Sequence, residues 1–478
     1  MTSARFRLAS ACILLVALFL LVSQDSLGQG GGGGGGQGGG GGGQGGGGNT
    51  GGAAGVFIDA RGILSKRFFP DPTRALTRAR QAAAKSMLPA DILKDSKLRK
   101  VSLNRLEAAM MVIHARGEIE PVEMKYLAGL TRITHVFFYE DSGDIVIAGP
   151  AEGFYEDVSG RAVGINSGHA VMELQDLIAA LRAYSPDGRR ENVISVSIDP
   201  SQQGLQRMNQ FLSRVSPQEA VANPRLLAQL LKQNLGLQKI TVQGISPKSH
   251  FAQVLVEADY RMKLIGIGLE QPPVKITTYI SKASPRGVSR NAMQRWYFTP
   301  NYECVMVSDD GNAMQLTGDG VKLISEHEMV SGDGQRAASG KFDKASQQFV
   351  ESFTRLYGEL AARAPVYAQM RNLMDLSIAA AYIQQQDFYG RSGWSMDLFG
   401  SEEKFPIATY PVPATVDSAV NVVFKGNTLM TPIGGGVNIQ PRTAIRKDQI
   451  QADTEGKLLE TQSRISLEQL KPGQWWWD

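Results

Sequence analysis

The chain has 478 residues, 42% of them hydrophobic, and its 50 Lys and Arg residues nearly balance its 46 Asp and Glu residues. This length suits one large domain or two to three smaller ones. The only cysteines are Cys12 and Cys304, and Cys12 lies in a segment that we expect to be removed, so no internal disulfide can form. The composition therefore excludes the small, disulfide-rich classes of secreted protein.

The first 28 residues have the pattern of a cleavable signal peptide. Arg5 and Arg7 precede an uninterrupted apolar run over residues 11–22, and residues 26–28 (Ser-Leu-Gly) place small side chains before a cleavage site. The run is shorter than the roughly 20 residues of a membrane-spanning helix and suits a secretory signal. We expect export to the periplasm, the cell envelope or the medium, with no transmembrane segment after cleavage. An uncleaved N-terminal anchor is the alternative.

A glycine-rich segment follows the signal. Residues 29–55 are almost pure glycine with a few glutamines, and such a tract has no apolar side chains to offset its large backbone entropy. It predicts a flexible tether. Beyond the tether, the expected segments are a basic helical segment with a β-hairpin (56–150), an α/β segment (151–245), an α+β segment (246–400) and an irregular tail containing β-structure (401–478).

The chain after the tether begins with a strongly basic stretch. Residues 61–105 contain twelve Lys and Arg residues against three Asp residues, a net charge of +9 (12 − 3). Asp71-Pro72 predicts the start of an exposed helix that continues to Met87. Its Arg74, Arg78 and Lys85 are candidate contacts for an anionic surface or polymer. Neutralisation by the acidic remainder of the chain is the alternative.

Helices and strands alternate from residue 102 onwards. The predicted elements are a helix from Ser102 to Gly117, a hairpin over 133–147, a helix over 171–183, a strand over 193–198, two helical stretches within 204–235 and a strand over 239–245. This alternation predicts a mixed α/β or α+β fold, without establishing that the strands are parallel.

Residues 251–269 contain two competing patterns. Their apolar residues fit one helical face, yet Val256–Leu264 also alternates strictly between apolar and charged side chains, as a half-buried strand does. Glu257 and Asp259 each precede a cation by four residues, which is the favourable helical spacing. We therefore predict a helix.

The remaining predicted elements complete the fold class. Strand-like runs separated by Gly/Asp/Asn turns predict an antiparallel meander near 294–326. Two long apolar seams then predict a helical hairpin near 342–386, whose second helix begins at Pro365. Cys304 lies in an apolar run and is expected to be buried.

The sequence offers only weak candidates for catalysis. A glycine-flanked loop places Ser167 two residues from His169, which suggests a hydrolase site, although the pattern is not G-x-S-x-G. The competing interpretation is a loop entering a helix, with Ser167 or Asn166 as its cap. The five histidines are scattered without metal-ligand spacing, so we expect neither a metal nor another cofactor.

Two aromatic or basic groups are further candidate binding residues. The first combines Arg286, Arg290 and Arg295 with Trp296, and basic residues beside aromatics can hold polyanions or sugars. Its alternative is a strand with a core aromatic residue. The second is the C-terminal run Trp475, Trp476 and Trp477, for which docking to a partner and packing onto the body are both open.

Four short stretches carry a resemblance to a known family. They are Ala258–Lys263, Arg295–Phe298, Gly320–Leu323 and Arg371–Leu376. Over roughly residues 245–390 they resemble a family of uncharacterised secreted bacterial proteins, mainly planctomycete, which is a domain of unknown function. The resemblance implies export and carries no assigned activity.

These observations favour a non-enzymatic exported protein that binds at the envelope or outside the cell. The expected partners are an anionic surface or polymer, or an envelope protein, and we expect no specific nucleic-acid binding. A secreted hydrolase with a site near Ser167 and His169 is the alternative function.

Overall fold

The computed structural model describes residues 52–478 except 284–291, 332, 334, 341–342, 425–427, 431–432 and 469. The predicted signal peptide and most of the predicted tether therefore lie outside the described residues, as do Arg286 and Arg290. Residues 52–55, which the sequence assigns to the tether, belong to the first strand.

The strands, in chain order, are β1 Gly52–Ile58, β2 Ile63–Pro70, β3 Ser96–Ser102, β4 His135–Tyr139, β5 Asp144–Ala151, β6 Phe154–Glu156, β7 Ala162–Gly164, β8 Ile194–Asp199, β9 Leu237–Gln243, β10 Ala292–Pro300, β11 Val305–Val307, β12 Ala313–Leu316, β13 Val321–Val330, β14 Arg336–Ala338, β15 Thr415–Asp417, β16 Val422–Phe424, β17 Thr428–Met430, β18 Ile433–Ile439, β19 Gln451–Ala452 and β20 Trp476–Trp477.

The helices, in chain order, are α1 Ala75–Met87, α2 Leu103–Ala115, α3 Val122–Lys125, α4 Leu174–Ala183, α5 Gln202–Arg214, α6 Pro217–Ala222, α7 Pro224–Leu235, α8 His250–Gly266, α9 Tyr279–Lys282, α10 Lys344–Arg355, α11 Tyr357–Arg363, α12 Pro365–Gln385, α13 Phe388–Ser392, α14 Pro441–Ala444 and α15 Lys457–Ser463. A 3₁₀ turn covers Leu127–Gly129.

Two mixed sheets organise these elements, so the predicted α+β class is confirmed. The larger sheet has the order β1-β2-β15-β9-β8-β18-β10-β13-β14, and the smaller one β19-β11-β12-β4-β5-β3-β20. In the larger sheet β8 and β9 pair antiparallel, although three helices separate them in the chain. Parallel pairing occurs between β2 and β15, between β10 and β18, and between β11 and β19.

The segment with two competing patterns is helix α8, as predicted. It packs against β8 and β18 on one side and against α4 and α12 on the other. Its charged side chains are buried along with its apolar ones, down to 0% exposure for Asp259 and Lys263. Burial on all sides removes the usual contrast between a polar and an apolar helix face, which explains why the helical period was hard to read.

One glycine allows β18 to lie close to its neighbouring strand β10. Gly435 in β18 has a φ of 122°, and a Cβ atom there would lie 1.9 Å from the carbonyl oxygen of Trp296. Glycine alone tolerates both the conformation and the close approach. The carbonyl oxygen of Gly435 accepts a hydrogen bond from the Nζ of Lys263 at 3.2 Å.

The strands predicted between residues 294 and 326 are all present, but they do not form one meander. β10 pairs antiparallel with β13 in the larger sheet, whereas β11 and β12 form a hairpin that joins β4 in the smaller sheet. Alternation and turn residues identify strands without identifying their partners, and here the partners come from distant parts of the chain.

The helical hairpin is confirmed with one difference. Its first arm is interrupted at Leu356 and therefore consists of α10 and α11, while its second arm is α12, which begins at Pro365 as predicted. Most of α12 is buried in the main core beside α8 and α4. No helix among the described residues is both long and apolar enough to cross a membrane.

Candidate functional site

Helix α1 lies on the surface, and none of its residues is buried. The Asp71 carboxylate stabilises the start of the helix by accepting hydrogen bonds from the Thr77 backbone N–H at 2.8 Å and the Thr77 hydroxyl at 2.7 Å. The N-cap position itself is Arg74, with a left-handed φ of 56°. The helix therefore begins three residues later than Asp71-Pro72 predicts, because the aspartate reaches forward across the turn.

Two side chains hold α1 against the body. The Arg80 guanidinium donates to the carbonyl oxygens of Glu156 and Asp157 at 3.0 and 2.5 Å, and the Gln81 amide donates to the carbonyl of Ile165 at 3.4 Å. These contacts fix the orientation of the helix. The Arg80 guanidinium is therefore engaged by main-chain carbonyls, unlike the other cations of the helix.

Arg74, Arg78 and Lys85 form a basic face on α1. Arg78 and Lys85 are seven residues apart in α1, which places them on one side of the helix. Arg74 is the N-cap residue just before α1, and all three side chains are exposed. Among the described residues, no carboxylate oxygen lies within 4.0 Å of their charged nitrogens. We call these three residues the α1 basic face.

Elsewhere in the basic stretch, several cations are paired. The pairs are Arg61–Asp59, Lys66–Glu270, Lys94–Asp91, Arg99–Asp478 and Arg105–Asp144, at nitrogen–oxygen distances of 2.6–3.2 Å. The interpretation that acidic residues neutralise this stretch therefore holds for these positions and not for the α1 basic face.

The C-terminal tryptophans pack onto the body. Trp476 and Trp477 form β20, which pairs antiparallel with β3 at the edge of the smaller sheet. Trp475 and Trp477 are 5% and 9% exposed. Trp476 is partly exposed, and the guanidinium carbon of Arg99 lies over its ring, 4.8 Å from the ring centroid. Of the two interpretations left open for this run, packing onto the body describes its buried members.

Arg99 holds this tail in place, and sequence reasoning missed it. Its side chain is fully buried and ion-paired with the Asp478 carboxylate, and it also donates to four main-chain carbonyls, those of Asp91, Ile92, Lys94 and Ala128. Nothing in the sequence separates Arg99 from the surrounding exposed cations, because its partner lies at the far end of the chain.

Ser167 and His169 lie in a turn between β7 and α4. The Ser167 hydroxyl donates to the Glu152 carboxylate, which also accepts from the backbone N–H groups of Asn166 and Ser167. His169 contacts Ser167 through its own backbone N–H, which donates to the hydroxyl at 3.0 Å. Glu152 thus fixes the turn, and the hydroxyl proton is directed to a carboxylate and away from the imidazole.

This turn differs from both sequence interpretations. Helix α4 begins at Leu174 with Glu173 at its N-cap, so neither Ser167 nor Asn166 caps it. The predicted cap was wrong because the chain first returns to pair Val163 with Ala170 before it enters the helix. A catalytic serine requires a base in reach of its hydroxyl, and the contact between Ser167 and His169 is made through the main chain.

Trp296 lies in the protein interior, and its neighbour Arg295 is paired with carboxylates at a partly exposed position. Trp296 has no exposed surface, and its Nε1 donates to the Ser346 hydroxyl at 2.7 Å. The Arg295 guanidinium lies between the carboxylates of Asp199 and Glu328, 3.0 Å from each. The expected stacking role of Trp296 is therefore corrected, because a fully buried ring cannot stack on an external ligand, whereas the paired Arg295 side chain keeps some exposure.

The described residues contain no cluster of three or more His, Cys, Asp and Glu side chains that could hold a metal ion. Cys304 is 2% exposed, and burial raises the pKa of its thiol to about 12, which keeps it protonated at neutral pH. The His250 ring lies 2.8 Å from Asp176 and 3.6 Å from Glu173. Burial lowers the pKa of His250, but the two carboxylates outweigh burial and raise the pKa to about 9.

The interior around α8 holds most of the remaining charge. Lys263 pairs with Asp259 at 2.7 Å and also donates to the Ile198 carbonyl at 3.0 Å. Burial raises the pKa of Asp259 to about 6 despite this partner. On the other side of α8, Arg261 binds Glu257 and Glu270 at 3.1 and 2.8 Å. The alternating charges of this segment are thus internal ion pairs.

Comparison with known proteins adds one family match. A family model described as "protein of unknown function (DUF1598)" matches residues 196–279, a range that runs from within β8 through α8 to the first residue of α9. The expected resemblance to a domain of unknown function is confirmed, but the match begins earlier than residue 245 and ends well before residue 390. No curated protein and no solved structure matches the chain.

Proposed function

We propose that this chain is an exported, non-enzymatic protein that binds an anionic polymer through the α1 basic face. The observation that carries the proposal is the contrast in pairing: Arg80 and five other cations within residues 61–105 are engaged by carboxylates or carbonyls, whereas Arg74, Arg78 and Lys85 are exposed and unpaired among the described residues. Unpaired cations on one face create a local positive potential that attracts polyanions.

The position of the helix supports the proposal. Asp71 fixes the first turn of α1, and Arg80 fixes the helix to the loop around Glu156, so the three cations are presented on a rigid element. Pre-ordered cations lose less conformational entropy on binding than cations on a mobile segment do. The apolar run over residues 11–22 supports the exported location.

The alternative, a hydrolase at Ser167, has weaker support. The Ser167 hydroxyl donates to the Glu152 carboxylate, which also accepts from the backbone N–H groups of Asn166 and Ser167. The other contact of the hydroxyl is the backbone N–H of His169. The arrangement accounts for the shape of the turn without a reaction.

The test is binding of the purified chain to dextran sulfate, with uncharged dextran as the matched polymer. Each Lys or Arg near an anionic surface contributes about 1 kcal/mol. The triple variant Arg74→Ala/Arg78→Ala/Lys85→Ala should therefore lose affinity by about a hundredfold. Binding of the unmodified chain should also weaken steeply with salt, because the interaction is between exposed charges.

A control variant removes the same charge from another surface. Arg214, Arg225 and Lys248 are exposed and lie outside α1, so replacing all three by alanine changes the net charge equally. We expect this control to stay within about threefold of the unmodified affinity, since distant exposed charges are largely screened. Equal losses in the two triple variants, or equal binding to dextran, would refute the proposal.

A further inference from the structure

A cavity of about 660 Å³ lies far along the chain from the α1 basic face, and nothing described above uses it. Its walls come from four places: the loop between α4 and β8, the end of α12, helix α13 with the turn after it, and helix α14. Cavities of roughly 300–1,000 Å³ are the usual size of small-molecule sites.

Two arginines give the cavity its charge. Arg190 and Arg442 both line it and are exposed, and no described carboxylate oxygen lies within 4.0 Å of either guanidinium. The only acidic residue in the lining is Asp387, whose carboxylate accepts from the Gly390 backbone N–H as the cap of α13. Two unpaired guanidiniums facing one space favour an anionic occupant, since Arg binds carboxylates and phosphates through paired hydrogen bonds.

The aromatic part of the lining is held rigidly. The Trp394 Nε1 donates to the Glu107 carboxylate, and the Tyr389 hydroxyl donates to the Tyr184 carbonyl at 3.0 Å. The two rings lie 5.5 Å apart between centroids. Trp394 and Tyr389 are 7% and 4% exposed, so each offers a small, fixed apolar surface to the C–H groups of a sugar ring.

Two amide side chains complete the lining with hydrogen-bond acceptors. The Gln384 Nε2 donates to the carbonyls of Ser185 and Arg189 at 2.8 and 2.7 Å, and the Gln385 Nε2 donates to the carbonyl of Ile445 at 3.1 Å. Both N–H donors of Gln384 and one of the two of Gln385 are thus engaged, and both amide oxygens are left to accept hydrogen bonds from a ligand. Acceptors beside fixed rings and guanidiniums suit a ligand that has both hydroxyl and acidic groups.

We infer that this cavity binds a small acidic sugar, a saccharide that carries a carboxylate. The carboxylate pairs with Arg190 and Arg442, ring hydroxyls donate to the oxygens of Gln384 and Gln385, and the sugar ring packs beside Trp394. This inference does not rest on the polymer site on α1, because the two sites share no residue.

The test is isothermal titration calorimetry of the full chain with cellobiouronic acid and with cellobiose. The two disaccharides differ only where a carboxylate replaces a hydroxymethyl group, and both are small enough for the cavity. We expect the acid to bind at least tenfold more tightly than cellobiose. Arg190→Ala and Arg442→Ala should each weaken binding of the acid about tenfold, as expected for loss of a hydrogen bond to a charged group.

Matched controls come from neighbouring arginines outside the lining. Arg189 pairs with Glu191 at 3.3 Å and Arg446 pairs with Asp448, and both are exposed. Arg189→Ala and Arg446→Ala should leave the affinity for the acid within about twofold. The inference is overturned if the acid does not bind, if cellobiose binds equally well, or if the controls lose as much affinity as the cavity variants. None of these outcomes bears on binding of dextran sulfate.

Discussion

Helices α1 and α8 are both rich in charge, but they lie in opposite environments. None of the residues of α1 is buried, and its charged side chains are all cations. In α8, Glu257, Asp259, Arg261 and Lys263 are all less than a tenth exposed, and each acid pairs with the cation four residues later. Charges of one sign on a helix have to stay in water or be neutralised by a binding partner. Acids and cations four residues apart can instead be buried together as ion pairs.

The comparison separates charges that stabilise the fold from charges available for binding. Interior charges cost several kcal/mol to desolvate and are tolerated only with close partners. Exposed charges contribute little to stability, but they can attract ligands of opposite charge. Substitutions in α8 should therefore act on stability, and substitutions on the α1 basic face should act on binding.

The largest expected effect comes from breaking the Lys263–Asp259 pair. Lys263→Met leaves a fully buried carboxylate without its cation. We expect the variant to lose about 3–5 kcal/mol of unfolding free energy, which is typical when one partner of a buried ion pair is removed. Urea unfolding followed by circular dichroism measures the change.

A double variant distinguishes the loss of the partner from a loss of packing. Asp259→Leu/Lys263→Met replaces both charges by apolar side chains and should recover part of the lost stability, because no charge is left unpaired. The recovery is incomplete, since the carbonyls of Ile198 and Gly435 still lose the Lys263 donor. If the unfolding free energy of Lys263→Met stays within about 1 kcal/mol of that of the unmodified chain, Asp259 and Lys263 do not act as an interior ion pair.

His250 should make stability depend on pH. Its folded-state pKa is raised from 6.5 to about 9 by Asp176 and Glu173. A raised pKa means that the folded state holds the proton more tightly, so this contribution is complete below pH 6.5 and is lost as the pH rises through 9. The difference corresponds to about 3 kcal/mol.

The variant His250→Gln tests this assignment. It lacks the titrating group and should flatten the stability profile between pH 6.5 and 9, whatever its stability at neutral pH. An unchanged slope in the variant would show that another group titrates in this range.

The sequence indicated the fold class and most of its helices correctly, since local patterns determine these features. The i,i+4 pairs of α8 and the proline at the start of α12 are examples. It did not reveal which strands pair, because β10 and β13 meet in one sheet while β11 and β12 join β4 in the other. Such pairings depend on residues far apart in the chain.

The candidate sites were harder to predict from the sequence than the fold class, because they also depend on residues far apart in the chain. Trp296 looked like a possible stacking residue until its burial against Ser346 was visible. The partner of Arg99 lies at the last residue, and the cavity of Arg190 and Arg442 combines segments more than 250 residues apart (442 − 190 = 252). Local composition did single out Arg74, Arg78 and Lys85, because a helix without acids can be recognised from its own residues.

The smallest expected change in stability belongs to the α1 basic face, and it provides the most direct test of the account. We would measure the unfolding free energy and the dextran sulfate affinity of the same two proteins, the triple variant of Arg74, Arg78 and Lys85 and the single variant Lys263→Met. The account predicts that the triple variant keeps its stability within about 0.5 kcal/mol while its affinity falls about a hundredfold. We also expect Lys263→Met to lose about 3–5 kcal/mol of unfolding free energy while it binds dextran sulfate as the unmodified chain does. A triple variant that loses stability but retains its affinity would contradict the account.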